Sequence, residues 1–461
     1  MKETGLGNGP AWRHVLSELI ISVSGLRGIW GQSLTPAVAA LYTSSFADCL
    51  PPGKLVITRD GRESGPMLAE AIAARLTAAG RTVIDAGVAA TPTTGVLVRQ
   101  FAAAGGIQIS ASHNPAQYNG IKLFSAAGRV IPIGEGTRVL ECYRRPRTSE
   151  ESSATRGIVE TAADSVSEHL RRVLATVDVE RIKSRRFRVL LDANHGAGSI
   201  LGQRLLAELG CAVVVLGGEP DGRFEHTPEP LAENVAGVLS QVVDRRADIG
   251  FCQDPDADRL AVIDEAGRYL GEEYTLALCV DHVLRQRKGP IVTNCSTSRM
   301  SQDLAESHGV PFHRSAVGEA NVVDCMLEQG AILGGEGNGG AIDPRVGLVR
   351  DSFVGMALIL DAMAARSLPI SSLAGELPRF EIVKSKIILA PDKVAAGLAA
   401  LESHFSDAAA DRLDGLRLDW PGKWLLVRAS NTEPIVRAIA EAATAAEARR
   451  LCDQAQAVLT V

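Results

Sequence analysis

The sequence lacks paired cysteines, a large excess of charge and any long apolar run. Its eight cysteines are scattered with no C-x-x-C pair, which disfavours a disulfide framework or a zinc site and suits reduced thiols. A formal net charge of -6 provides no basic surface for nucleic acid or an anionic membrane. No window approaches the ~18 apolar residues of a membrane span, and the first residues lack the pattern of a secretion signal. We therefore expect a cytoplasmic protein with small-molecule partners and no nucleic-acid or membrane partner, either a monomer or a homodimer.

The length of 461 residues exceeds that of one compact core and predicts about two to four domains. Short β-branched runs alternate with Ala- and Leu-rich stretches. "KLVITRD" (54–60) is followed by "GPMLAEAIAARLTAAG" (65–80) and then by "RTVIDAG" (81–87). The same order returns at 187–218, and a strand run again precedes a helical stretch at 289–309. This repetition predicts an α/β protein built from βαβ units.

Changes of composition divide the chain into four blocks. The polar stretch "RRPRTSEESSATRG" ends the first block, another block begins near "DPDADRL", and strands dominate after residue 370. We expect three similar α/β domains with mixed sheets and a smaller α+β C-terminal domain, all within ordinary domain sizes. The expected ranges are 1–156, 157–257, 258–372 and 373–461.

The string "DPDADR" places Asp254, Asp256 and Asp258 at alternate positions before Arg259. Three carboxylates on a tight loop supply the hard oxygen ligands that Mg²⁺ or Ca²⁺ prefers, although a solvated acidic turn is an alternative. An EF-hand is disfavoured, because its loop requires glycine where Arg259 stands and because the preceding "ADIGFCQ" has the composition of a strand. The adjacent arginine suits an anionic substrate.

The glycine-rich string "GGEGNGG" (334–340) satisfies the G-x-G-x-x-G pattern of dinucleotide-binding folds. That pattern requires a following helix, whereas "AIDPRVGLVRDS" contains a proline and no amphipathic period, so we reject a dinucleotide site. The loop instead offers Glu336 and Asn338, a carboxylate and an amide suited to sugar hydroxyls. A flexible turn is the alternative.

Near the end of the chain, "RASNTEP" (428–434) groups an arginine with hydroxyl and amide side chains, and Arg437 follows closely. Guanidinium groups bind phosphate through two parallel N–H bonds, and hydroxyl and backbone N–H groups complete the shell. The string therefore predicts a phosphate-binding loop, with a polar turn as the alternative.

In "GGIQISASHNPAQYNGIK" (105–122), an apolar run ends in two serines, a histidine, an asparagine and a proline. A simple turn is one interpretation, and a nucleophile on a rigid loop is the other. No Ser-His-Asp order or G-x-S-x-G motif is present, which disfavours an acyl hydrolase. Ser112 as a phosphoryl carrier needs positive charge around the transferred group, which Lys122, Arg27, His113 and a metal at the aspartates would supply.

Taken together and in this order, "SGLRG" (24–28), "SASHNP" with "NGIK", "DPDADR", "GEGNGG" and "RASNTEP" resemble the α-D-phosphohexomutase superfamily. This superfamily includes phosphoglucomutase, phosphomannomutase and phosphoglucosamine mutase. The resemblance spans most of the chain and implies four domains around a central cleft, each contributing one loop. It also implies interconversion of hexose 1-phosphate and hexose 6-phosphate through a phosphoserine enzyme and a hexose 1,6-bisphosphate intermediate, with Mg²⁺ as cofactor and the bisphosphate as activator.

The resemblance assigns a role to each matching residue. The catalytic group, with Lys122 as proton-transfer partner, comprises Ser112, Lys122, Arg27, His113 and Arg259. The metal ligands are Ser112, Asp254, Asp256 and Asp258. The sugar ring faces Glu336 and Asn338. The distal phosphate is held by Arg428, Ser430, Asn431, Thr432 and Arg437.

Two departures bear on the substrate. Many members with phosphomannomutase and phosphoglucomutase activity carry histidines where this chain has Gly340 and Glu319. The pairing of "VGEAN" with "GEGNGG" is more similar to phosphoglucosamine mutases, which we therefore favour, with a phosphomannomutase/phosphoglucomutase of dual specificity as the alternative. A sugar phosphatase and a non-catalytic sugar-phosphate-binding homologue are more remote alternatives. Non-catalytic homologues usually lose the nucleophile or a metal ligand, whereas this chain has Ser112 and all three aspartates.

Overall fold

The computed structural model describes residues 19–23, 25–145, 155–429 and 435–460. These residues form an α/β fold with four sheets, which lie in four successive parts of the chain. The first three parts combine helices with mixed sheets, and the fourth is smaller and has an antiparallel sheet. The predicted α/β class is therefore confirmed. Within the described ranges, no helix is both long and apolar enough to cross a bilayer.

The first part contains the predicted strand–helix–strand unit and the serine loop. Its elements are β1 (Ile20–Ser22), β2 (Gly25–Ile29), α1 (Pro36–Asp48), β3 (Leu55–Arg59), α2 (Gly65–Ala78), β4 (Val83–Val88), α3 (Thr91–Gln100), β5 (Gly105–Ile109), β6 (Tyr118–Ser125), α4 (Ile133–Arg144) and β7 (Val159–Thr161). The sheet order is β1-β2-β6-β5-β3-β4-β7. All of β5 is buried, as expected for a central strand that lies between β3 and β6 and is covered on both faces. β7 pairs with β4 although it follows the expected domain boundary at residue 156.

The second part carries the aspartate loop. Its elements are α5 (Ser167–Leu174), α6 (Val179–Arg185), β8 (Arg188–Asp192), α7 (Gly198–Glu208), β9 (Ala212–Leu216), α8 (Ala236–Asp244), β10 (Ile249–Gln253), β11 (Leu260–Asp264) and β12 (Tyr269–Gly271). The sheet order is β12-β11-β10-β8-β9. The expected boundary between residues 257 and 258 falls between β10 and β11, which are hydrogen-bonded neighbours. We propose that this domain ends near Gly271 instead.

The third part carries the glycine-rich loop. Its elements are α9 (Glu272–Gln286), β13 (Ile291–Asn294), α10 (Met300–Ser307), β14 (Phe312–Ser315), α11 (Glu319–Gln329), β15 (Leu333–Glu336), β16 (Gly340–Ile342), α12 (Ser352–Arg366) and α13 (Ile370–Gly375). The sheet order is β14-β13-β15-β16. "GGEGNGG" leads into a strand that pairs antiparallel with β15. This geometry agrees with the rejection of a dinucleotide site, because the string is not followed by a helix.

The fourth part is strand-rich, as the composition after residue 370 predicted. Its elements are β17 (Glu381–Ile388), a 3₁₀ turn (Pro391–Lys393), α14 (Val394–His404), β18 (Ala409–Asp411), β19 (Leu416–Trp420), β20 (Lys423–Ala429), β21 (Ile435–Ala442) and α15 (Ala445–Leu459). The sheet order is β17-β21-β20-β19-β18. Its apolar face packs against α14 and α15.

A buried polar chain connects the first three parts beneath their loops. Thr93 Oγ1 on α3 lies 2.9 Å from His169 Nδ1 on α5, and His169 Nε2 lies 2.7 Å from Asp351 Oδ2. Asp351 also caps α12 by accepting from the N–H groups of Phe353 and Val354. Because these polar groups are buried and mutually satisfied, they fix the relative positions of the three parts that carry the site.

Candidate functional site

Ser112 stands on a tight loop directly after β5. Its backbone has a φ of 49°, an uncommon conformation for a residue other than glycine. The Ser112 N–H donates to Ser110 Oγ at 2.9 Å, which helps to hold this conformation. The Ser112 hydroxyl donates to Asp254 Oδ2 at 2.7 Å, so the serine loop and the aspartate loop meet at this side chain.

Arg62, which the sequence analysis did not single out, supports the serine loop from below. Its guanidinium is buried and pairs with Asp60 Oδ2 at 3.0 Å. The same group donates to four backbone carbonyls of the loop and its exit, those of Ser112, Asn114, Pro115 and Tyr118. Five contacts from one planar cation leave the loop little freedom.

The three aspartates lie together between β10 and β11. Asp254, Asp256 and Asp258 are fully buried, and one carboxylate oxygen of each lies within 4.8 Å of the others. Burial, followed by the neighbouring Asp256 and Asp258 carboxylates, raises the pKa of Asp254 well above its usual range. Within the described residues, Oδ1 of Asp256 and Oδ1 of Asp258 are buried without a hydrogen-bond partner. Clustered buried carboxylates that keep unpaired oxygens fit a divalent cation.

Basic side chains surround this cluster. Lys122 on β6 donates to Asp256 Oδ2 at 2.5 Å and to Asp258 Oδ2 at 2.9 Å. Burial lowers the pKa of Lys122, but the two carboxylates raise it by more, so the net shift is upward. The Arg259 guanidinium lies with Nε 3.9 Å from Asp258 Oδ1, and the backbone N–H of Arg259 donates to Asp254 Oδ1 at 3.1 Å. Burial lowers the pKa of Arg27 on β2, and the nearby Asp256 carboxylate offsets part of this shift.

His113 lies beside the serine, with Nδ1 3.3 Å from Ser112 Oγ. Burial, followed by the charges of Arg259 and Arg27, lowers the pKa of His113 to about 2. These causes favour the neutral imidazole, whose two ring nitrogens can donate and accept one hydrogen bond each.

Glu336 and Asn338 lie at the turn between β15 and β16. Glu336 Oε1 accepts from Asn294 Nδ2 at 2.7 Å and from the Gly318 N–H at 3.2 Å. Asn338 Nδ2 lies 3.4 Å from Glu336 Oε2, and Asn338 Oδ1 is buried with no hydrogen-bond partner among the described residues. An unpaired buried acceptor is suited to a hydroxyl or ammonium donor of a bound sugar.

Arg350 joins this turn to the aspartate loop, and the sequence analysis did not single it out. It donates to Glu336 Oε2 and to Asp258 Oδ2, both at 2.7 Å. Its Nε also lies 3.4 Å from Glu319 Oε2. Carboxylates of the aspartate loop and of the glycine-rich turn are thereby bound to one cation.

The arginines assigned to the distal phosphate are cross-strand neighbours. Arg428 on β20 pairs with Arg437 on β21, and Arg437 pairs with Lys386 on β17. Three cations in a row on one face repel one another unless an anion lies between them. Arg428 Nε lies 3.1 Å from Asp414 Oδ2, which offsets one of these charges. Ser430, Asn431 and Thr432 lie outside the described residues.

The residues missed by the sequence analysis share a reason. Arg62, Arg350 and Lys386 belong to none of the five strings, and each acts on residues that are distant in sequence. A weak signal existed for Arg62, because "RDGRES" follows β3 in the way that "SASHNP" follows the parallel neighbour β5. No comparable signal marks Arg350 or Lys386.

Comparison with known proteins decides the family. Models of the four domains described as phosphoglucomutase/phosphomannomutase domains I, II and III and C-terminal domain match residues 19–149, 167–267, 272–380 and 387–458. The chain belongs to the phosphoglucomutase/phosphomannomutase family. A "Phosphoglucomutase/phosphomannomutase" of Thermococcus kodakarensis is 37% identical over 439 residues, covering 92% of this chain and 95% of the relative.

Two further relatives bear on the substrate and on the fold. A "Probable phosphoglucosamine mutase" of Thermococcus gammatolerans is 34% identical over 444 residues, covering 94% of this chain and 96% of the relative. The crystal structure of a phosphoglucomutase/phosphomannomutase family protein from Burkholderia thailandensis matches with a TM-score of 0.82 at 28% identity, covering 96% of this chain and 98% of that one. This family member thus shares the four-part architecture of this chain.

Proposed function

We propose that this protein is a phosphohexomutase that interconverts hexose 1-phosphate and hexose 6-phosphate. The observation that carries the proposal is the contact between Ser112 Oγ and the buried Asp254. A serine hydroxyl held against three clustered carboxylates and several cations suits phosphoryl transfer better than acyl transfer.

The aspartate cluster fits a divalent cation, and we propose Mg²⁺. Asp254, Asp256 and Asp258 would bind it together with an oxygen on Ser112. When bound, the ion supplies charge stabilisation for the transferring phosphoryl group. Lys122, Arg259 and Arg27 add positive charge on the protein's own side of the site.

The proposed cycle starts with a phosphorylated Ser112. A hydroxyl oxygen of the hexose monophosphate bonds to phosphorus as the bond from phosphorus to Ser112 Oγ breaks, and the proton of the sugar hydroxyl passes to Ser112 Oγ. Lys122 Nζ, which the two aspartates keep protonated, is the proposed proton relay. The hexose 1,6-bisphosphate then reverses its orientation in the site, and its other phosphate is transferred to Ser112.

The two anion sites support this cycle. The reacting phosphate would lie by Ser112, and the second phosphate by the row formed by Arg428, Arg437 and Lys386. A sugar that must bind in two orientations is best held by a few polar groups, which Glu336 and Asn338 provide. A trace of the bisphosphate would act as activator, because it phosphorylates Ser112 directly.

For the sugar, we propose an amino sugar, glucosamine phosphate, as the preferred substrate. The support is the similarity to relatives named as phosphoglucosamine mutases and the unpaired acceptor on Asn338. Glucose and mannose phosphates are the second candidate, because the relative from Thermococcus kodakarensis is named phosphoglucomutase/phosphomannomutase. We also propose that the protein acts in the cytoplasm.

A coupled assay with Mg²⁺ and a trace of hexose 1,6-bisphosphate tests the proposal. It compares glucosamine 6-phosphate, mannose 1-phosphate and glucose 1-phosphate at equal concentration and monitors inorganic phosphate in parallel. We expect isomer formation with the amino sugar converted fastest. A preference for mannose or glucose phosphate would overturn the sugar assignment, and phosphate release without isomer formation would identify a phosphatase.

A further inference from the structure

One guanidinium touches carboxylates from three separate segments of the second and third parts of the chain. The Arg350 guanidinium lies 2.7 Å from Asp258 Oδ2, 2.7 Å from Glu336 Oε2 and, through Nε, 3.4 Å from Glu319 Oε2. The Arg350 backbone N–H also donates to Glu319 Oε1 at 2.9 Å. All three carboxylates and the arginine are buried. A buried carboxylate that loses its cation is strongly unfavourable, so Arg350 constrains where each of them can lie.

The geometry of this contact depends on a guanidinium. Two of its nitrogens point to two different loops, the metal-facing Asp258 and the sugar-facing Glu336. Its planar fork keeps these two directions fixed, whereas the ammonium of a lysine is a single point charge on a flexible stem. An arginine therefore sets the separation of the two carboxylates, and a lysine would only neutralise them.

Gly340 makes room for the arginine. It lies directly opposite Glu336 in the ladder between β15 and β16. A methyl group at residue 340 would lie 2.5 Å from Arg350 Cδ and 2.7 Å from Arg350 Cβ and Cγ. The backbone of Gly340 does not adopt a positive φ, so the need for glycine comes from the arginine stem and not from the local conformation. Because the Cβ atom is part of the clash, rotation of the side chain cannot relieve it.

We propose that Arg350, admitted by Gly340, is a positioning residue that holds Glu336 and Asp258 in one fixed arrangement, so that the sugar-facing and metal-facing carboxylates act as a unit on the hexose phosphate. This inference rests on the proposed function for its substrate but not for its geometry. Displacing the guanidinium moves both carboxylates together. Sugar binding and metal binding are then impaired by the same substitution.

Two variants and one matched control test the inference. Gly340→Ala displaces the arginine stem, and Arg350→Lys keeps its charge but removes its fork. Gly134→Ala, near the start of α4, adds a methyl group that meets nothing within 4 Å. For each protein, calorimetry measures Mg²⁺ binding without substrate, initial rates give kcat and KM for the hexose phosphate, and thermal unfolding confirms that the protein is folded at the assay temperature.

We expect both test variants to raise KM and to weaken Mg²⁺ binding, with kcat/KM lower by about tenfold to 100-fold, as misplacement of site groups by about 1 Å produces. The control should match the wild type. Wild-type values of KM and of the Mg²⁺ dissociation constant in both variants would overturn the inference, as would a lower kcat alone in folded protein. If the wild type isomerises none of the sugar phosphates, the proposed function fails, while the Mg²⁺ measurement still decides whether Arg350 positions Asp258.

Discussion

Ser112 and Asp254 are 142 positions apart in sequence, yet the serine hydroxyl donates a 2.7 Å hydrogen bond to the aspartate. The contact joins a loop after β5 in the first sheet to a loop after β10 in the second. Both side chains are buried, so the hydroxyl is presented to the carboxylate cluster in one orientation. This arrangement requires that both loops keep their conformations.

Removing the support beneath the serine loop tests that requirement. Arg62→Met leaves Asp60 buried without its cation and leaves four loop carbonyls without their donor. We expect the local free energy of opening to fall by about 3–5 kcal/mol. Hydrogen exchange measured by mass spectrometry on the peptide that contains Ser112 reports this change.

Arg59→Met is the matched control for this experiment. Arg59 forms a partly exposed ion pair with Asp85 at 3.3 Å, and pairs of this kind contribute about 1 kcal/mol or less. Equal exchange in the two variants would show that Arg62 does not hold the serine loop.

Asp256→Asn tests the metal assignment. The substitution removes charge from a fully buried cluster that fits a divalent ion. We expect weaker Mg²⁺ binding by calorimetry and a loss of about 3 kcal/mol of transition-state stabilisation, or roughly 100-fold in rate. Asp244→Asn, at an exposed position at the end of α8, should behave as the wild type. Normal Mg²⁺ binding in Asp256→Asn would mean that the metal lies elsewhere.

The row of cations on the last sheet predicts a response to anions. Arg437 stands between Arg428 and Lys386 in the ladder, and its removal relieves repulsion while weakening the proposed phosphate site. We expect Arg437→Gln to raise KM about tenfold with kcat at saturation little changed, because a hydrogen bond to a charged group contributes about 1.5–3 kcal/mol. Arg449→Gln, exposed on α15, is the control.

Inorganic phosphate gives a second readout of the same site. A ligand that binds only the folded protein raises its Tm. Phosphate should therefore raise the Tm of the wild type by more than that of Arg437→Gln. Equal shifts, or a lower kcat with unchanged KM, would contradict the assignment of this row to the distal phosphate.

Local strings in the sequence predicted most of the architecture and the positions of the chemistry-bearing loops. Alternation of β-branched and Ala-rich runs located β3, α2 and β4, since period and composition are local properties. The strings around Ser112 and Asp256 were visible because each loop concentrates its functional groups within a few residues. The domain ranges and the assigned roles of individual site residues remain predictions.

Other features depend on tertiary contacts that no short window contains. Arg350 contacts Asp258, which lies 92 positions away in sequence. The need for glycine at residue 340 comes only from its contact with the side chain of Arg350. β11 follows the aspartate loop and returns to the second sheet, although nothing in the composition separates it from the third part. Single arginines are common on protein surfaces. The sequence alone therefore does not distinguish a buried arginine that contacts several carboxylates from a solvated one.

The central claim is that Ser112 carries the phosphoryl group between the enzyme and the sugar. The most direct test incubates the protein with glucose 1,6-bisphosphate and Mg²⁺, locates the added phosphoryl group by peptide mass spectrometry, and then adds a hexose monophosphate. We predict that Ser112 gains one phosphoryl group and loses it on the chase as bisphosphate forms, and that Ser112→Ala does neither, whereas Ser240→Ala, exposed on α8, behaves as the wild type. Phosphorylation at another residue, or full mutase turnover by Ser112→Ala, would contradict the account.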